Sequence, residues 1–169
     1  MRFFFAIPAL FFASFSLGQS ARPTKPSPAF SIKIAPLAPI GLGQPATIIV
    51  TVTNISDKEI YLDSTRTTSD VGMYRDFQYL LTRNGQEVET TFFNGKLTGR
   101  LRADDPQEVW AGSTILLPHP PGKIWDMKID LKRLYEITQP GEYTVSVSRF
   151  DDSSKTTVHS NTLTLIIAP

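Results

Sequence analysis

From Phe30 to the last residue, apolar side chains recur at every second position in short runs, and turn signals separate the runs. Phe30, Ile32 and Ile34 fall on one face against Ser31 and Lys33. Ile48, Val50 and Val52 alternate with Thr47, Thr51 and Thr53, and only Ile49 breaks the pattern. A period of two puts successive side chains on opposite faces of a strand, so each run reads as a strand with one buried and one solvated face. No stretch sustains a 3.6-residue period over a full helix length. The expected fold is all-β: an Ig-like antiparallel β-sandwich of Greek-key type with about eight or nine strands.

Further along, EIYLD (59–63) predicts a short third strand and STRTTSDVGMYRD (64–76) a long loop. In FQYLLTRNGQEVETTFF (77–93), Asn84-Gly85 is the preferred pair for a type I′ hairpin, whose two central residues both need positive φ. NGKLTGRLRADDPQ (94–107) reads as irregular. VWAGSTILLP (109–118) reads as a strand entered through Ala111-Gly112 and ended by Pro118, and PHPPG as an extended loop, since proline lacks the amide hydrogen a ladder needs. Trp125, Met127 and Ile129 alternate with Ile124, Asp126 and Lys128, and LKRLYE (131–136) predicts one helical turn. The last two strands are EYTVSVSRF, with Tyr143, Val145 and Val147 inward, and HSNTLTLII, with Leu163, Leu165 and Ile167 inward. Gly141-Glu142-Tyr143 directly after a turn has the form of a tyrosine corner, in which a phenol folds over the sandwich edge and bonds to backbone a few residues upstream. Tyr143 is therefore expected to be scaffold.

The N-terminus sets compartment and boundaries. One charge at Arg2, an apolar run from Phe3 to Phe15 and small residues up to Ala21 form the pattern of a secretory signal peptide, residues 1–21, with cleavage after either Gly18 or Ala21. Residues 22–29, rich in Pro and Ser, predict an extended tether. Residues 30–169 predict one domain, large enough at roughly 140 residues to hold an apolar core. No later segment has the ~20 apolar residues of a membrane span, so no stable membrane anchor is expected. The expected location is secreted or periplasmic.

Composition narrows the chemistry. The chain has 17 Lys+Arg and 16 Asp+Glu; without Arg2 the balance is 17 − 1 = 16 against 16. A neutral surface does not suit nucleic acid, which is not expected as a partner. There is no cysteine, which excludes disulfides, thiolate metal sites and a cysteine nucleophile. A cysteine-free exported chain points to a bacterial envelope; in a eukaryote, Asn54-Ile55-Ser56 would be a glycosylation sequon.

Candidate chemistry is sparse. His119 and His159 lie far apart and outside any ligand-spaced motif, and both read as exposed loop residues. Asp104-Asp105 and Asp151-Asp152 read as solvated turn residues rather than a calcium site, which needs six to eight oxygens gathered in space. Lys96, Arg100 and Arg102 make a basic stretch, read first as the outward face of a strand and second as an exposed loop that is a recognition element or a protease-inhibitory segment. Trp110 and Trp125 sit on alternating segments and read first as core or partly buried, and second as exposed rings for glycan stacking or a protein hot spot. No catalytic, cofactor or metal residue is nominated, no cofactor is expected, and the binding residues stay open.

Three stretches, VTVTNISDKEIYL, FQYLLTRNGQEV and PGEYTVSV, resemble Ig-like domains grouped around the bacterial intracellular proteinase inhibitor family, BsuPI. That resemblance implies a sandwich fold and inhibition of a serine protease, whereas the export signal departs from an intracellular role. The leading expectation is a non-catalytic exported Ig-like binding module that recognises an envelope or extracellular protein or glycan. The alternative is a secreted serine protease inhibitor of the BsuPI-like type, and an enzyme of unrecognised kind comes third. The oligomeric state is left open.

Overall fold

The computed structural model describes residues 27–64, 74–100 and 115–169. The expected signal peptide, most of the tether, most of the 64–76 loop, Arg102, Asp104, Asp105, Trp110 and the Ala111-Gly112 turn lie outside the described residues.

The alternating runs form strands as their period requires. In chain order these are β1 (Phe30–Pro36), β2 (Ile40–Gly41), β3 (Thr47–Asn54), β4 (Ile60–Ser64), β5 (Gln78–Arg83), β6 (Gln86–Glu87), β7 (Ile115–His119), β8 (Ile124–Asp130), β9 (Gly141–Asp151), β10 (Thr156–His159) and β11 (Leu163–Ala168). Among the described residues, nine of them have four residues or more. One sheet runs β1-β3-β8 and the other β2-β11-β9-β5-β6, with β10 also on β9; β4 and β7 form a separate ribbon. Pairing is antiparallel except for the two-residue β2 beside β11. β3 and β5 lie in different sheets, as do β6 and β8 and then β8 and β9, so the chain crosses repeatedly between layers. This is the Greek-key wiring of an Ig-like sandwich.

One core joins the two sheets. Ile32, Ile34, Ile48, Val50, Val52, Met127 and Ile129 from the first meet Leu81, Tyr143, Val145, Val147, Leu165 and Ile167 from the second. Each fully buried aliphatic side chain contributes about 1.5–3 kcal/mol relative to exposure. The outer face of the first sheet stays wet, with Thr51 donating to Asp126 at 2.6 Å.

Local signals hold at two turns. Asn84 (φ 52°) and Gly85 (φ 76°) form the hairpin that links β5 to β6. The Tyr143 phenol donates to the Gln139 carbonyl at 2.7 Å, so the tyrosine corner is formed. Gly141, at φ 138°, lets the chain enter β9 there, and the Arg83 guanidinium latches the turn by bonding Gln139 and the Pro140 carbonyl.

Three expectations change. The stretch read as irregular from Asn94 begins inside a helix, α1 (Phe92–Thr98), capped by Thr91, whose side chain accepts from the Asn94 amide, and by Gly99 in the left-handed region. Its seven residues are too few to show a period, but Phe93 and Leu97, one turn apart, lie against the core. β7 does not stop at Pro118; it runs on to His119, since among the described residues it pairs with β4 on one side and the proline's missing amide hydrogen can face away from that partner. Finally, β10 splits the closing run. Between β10 and β11, Asn161 accepts the Ile34 amide at 2.8 Å and donates to the Ile34 carbonyl at 3.0 Å, tying the second sheet to the outer edge of β1.

Candidate binding site at one end of the sandwich

The strand registers bring the start of β1, the end of β3, the start of β5 and the far part of β9 to the same end of the sandwich. Asn54 organises the junction there. It is 2% exposed; its amide donates to the carbonyls of Lys58 (2.8 Å) and His119 (2.7 Å), and its oxygen accepts from the amide and hydroxyl of Ser56. Both amide hydrogens are thus used to join β3 to the β4–β7 ribbon. The sequon asparagine is a buried structural residue.

Asp151 organises the β9 side. It is 4% exposed, and its two oxygens accept from the Ala29 amide, the Ser153 amide and hydroxyl, and the Ser154 hydroxyl, all at 2.7–3.0 Å. Burial pushes its carboxyl up, but these bonds outweigh burial and hold it below the usual carboxylate range. The reading of Asp151 as a solvated turn residue is therefore wrong for Asp151 and right for Asp152, which is exposed and pairs with Lys155.

His119 is also not an exposed loop residue. It is 6% exposed and lies against Trp125, ring centroids 5.6 Å apart. Burial, and then the charges of Lys123 and Arg149, lower its pKa. Trp125 is partly buried against the core, as its alternating position indicated.

Between these hubs lies Arg149. Tyr143, Val145 and Val147 point inward, and the same parity carries Arg149 inward too. Its guanidinium sits 5.9 Å from the Phe30 ring centroid and 5.2 Å from that of Phe77, both rings buried. Its Nη1 is buried without a hydrogen-bond partner. A cavity of about 300 Å³ opens beside it, walled by Phe30, Ile60 and Leu62 and rimmed by Tyr61 and Phe150, which are 59% and 53% exposed. The Tyr61 phenol donates to Glu59 at 2.7 Å. Arg149 was not singled out from sequence, although a charged residue continuing an inward alternation was the signal that would have found it.

A second cleft, about 540 Å³, lies between α1 and β5 and brings Arg100 and His159 to one lining. Tyr135 forms its floor; its phenol donates to the Tyr79 carbonyl, and burial pushes its pKa up to about 12, so it remains a donor at any physiological pH. Lys96 is turned toward the Phe92 ring at 5.3 Å within α1, so the basic stretch is neither strand nor extended loop at that residue. Among the described residues there is no group of three metal-ligating side chains, and no helix is long and apolar enough to cross a membrane.

No protein-family model matches the chain, and no curated protein matches it. Among solved structures it is similar to the solution NMR structure of the CARDB domain of PF1109 from Pyrococcus furiosus, at 11% identity and a TM-score of 0.36. That alignment covers 83% of this chain and 95% of the other.

Proposed function

We propose that this chain is an exported, non-catalytic Ig-like module that binds a protein or carbohydrate partner through the end of the sandwich where β4 meets β9. The observation that carries the reading is the rim of the Arg149 cavity. Tyr61 and Phe150 are large rings held more than half exposed on either side of a concave, mostly apolar opening. Exposed aromatics beside a pocket supply large contact area at low entropic cost, which is why they recur as anchors of binding surfaces. Export rests on the leader pattern alone, and fractionation of cells expressing the full chain tests it: recovery of the protein only in the cytoplasm would remove that part.

The binding test uses the purified protein immobilised beside a Tyr61→Ala, Phe150→Ala double variant, both exposed to envelope and culture-fluid extract of the source. A partner held by the native surface and lost from the variant supports the reading. A partner retained equally by both, or turnover of a substrate abolished by changing one polar residue, overturns it. Should that partner be a serine protease inhibited in stoichiometric amount, the module is an inhibitor of the BsuPI-like type.

A further inference from the structure

We infer that the cavity beside Arg149 is a recognition site for a single carboxylate carried on an apolar body, the chemistry of the C-terminal residue of a partner polypeptide. The inference rests on the binding reading above and names the group that is bound. An inward-facing cation in a sandwich core ordinarily has a carboxylate opposite it, because an uncompensated buried charge is costly. Arg149 has none. Its neighbours on the inner face are the Phe30 and Phe77 rings, which attract a guanidinium through their faces but accept no hydrogen bond from its edge.

Three acids, Glu59, Asp151 and Asp152, line the cavity, and each is engaged in a hydrogen bond or ion pair. Asp151 accepts four hydrogen bonds, Glu59 accepts the Tyr61 phenol, and Asp152 pairs with Lys155. Among the described residues lining the cavity, the buried side-chain donor without a partner is therefore cationic, and a guanidinium has the fork geometry that matches a carboxylate. The acids of the lining repel any anion, and a dianion or polyanion more strongly than a single carboxylate, which disfavours phosphate and sulfated chains relative to a monoanion. They are also engaged as acceptors, so few acceptors are left for the hydroxyls of a sugar. The walls at Ile60 and Leu62 and the rim at Tyr61 and Phe150 instead suit an apolar side chain. A C-terminal residue offers both parts, and the cavity of about 300 Å³ is of the size that holds one side chain.

The test is calorimetric titration of the protein with N-acetyl-phenylalanine, its uncharged carboxamide and glucuronate, with the Arg149 side-chain N–H followed by NMR. The expected result is that the acid binds at least roughly tenfold more tightly than the amide and moves the Arg149 signal. Arg149→Met is expected to erase that preference. Arg149→Lys, which keeps the charge and loses the fork, serves if the methionine variant does not fold, and is expected to weaken acid binding several-fold. Equal binding of acid and amide, no binding of either at millimolar concentration, or tighter binding of glucuronate would overturn the assignment. If the rim variant loses its partner while the acid shows no preference, only the carboxylate assignment falls. If the rim variant keeps its partner, the binding reading beneath it falls as well.

Discussion

The Asp151 carboxylate accepts the backbone amide of Ala29 at 2.8 Å, across 122 residues of sequence, and so pins the entry of the first strand to the exit of β9. This bond links the residue just before β1 to the wall of the Arg149 cavity. Replacing Asp151 with Ala leaves the buried Ala29 amide without its acceptor and removes the bonds of Ser153 and Ser154, and is expected to cost about 2–4 kcal/mol. Chemical denaturation measures the loss; a change below about 0.5 kcal/mol would show that the bonds contribute nothing net.

The same carboxylate makes stability depend on pH. Its folded pKa lies below the usual 3.8, so its contribution is fully present above that value and is lost as pH falls through the folded pKa. Denaturation midpoints of the native protein are expected to drop steeply below about pH 4. Asp151→Asn should flatten that limb.

His119 acts at a higher pH and with the same sign. Its folded pKa lies below the usual 6.5, so the unfolded chain takes up a proton first. Stability is full above 6.5 and declines as pH falls toward the folded value. In His119→Phe the decline between about pH 7 and 5 should disappear while the acid limb stays. A native protein with no slope in that window would show that the histidine titrates normally.

Tyr143→Phe removes only the corner hydroxyl. The expected cost is about 1–3 kcal/mol with an unchanged fold, read as a lower melting temperature with the circular dichroism spectrum preserved. A melting temperature equal to that of the native protein would demote the corner from a stabilising contact to a steric one.

Asn54→Ala deletes four hydrogen bonds that meet at one buried amide. Hydrogen exchange should then accelerate in β4 and β7 while β9 amides keep their protection. In a host that glycosylates, occupancy at Asn54 should lower yield of folded protein, since the glycan would take the nitrogen that binds the Lys58 and His119 carbonyls. Uniform acceleration across both sheets would instead make Asn54 a residue of the global core.

The sandwich was legible because its long strands have one buried face: Ile48, Val50 and Val52, or Tyr143, Val145 and Val147, show the period directly. The hairpin and the corner were legible because each is specified by neighbouring residues. What escaped was short or non-local. α1 has too few residues to display a helical period, and β2 and β6 have two residues each. Asp151 read as a solvated acid because the amide it binds is remote in sequence. His119 read as a loop residue because its prolines hide a strand that needs only one partner. Arg149 was the plainest miss: the parity rule that placed Val145 and Val147 also placed it inward, and the rule was applied only to apolar residues.

The clamp of Asn161 on Ile34 bears on association. A sheet edge offers any passing strand a row of free amides and carbonyls. Here a side-chain amide imitates one residue of an adjacent strand, satisfying both backbone groups of Ile34 at once. An invading strand would have to displace that bidentate contact before it could register against β1. The domain thus blocks self-templating at this edge with a neutral group, beside Lys33 and Pro36, the residue types that edge strands commonly carry for the purpose.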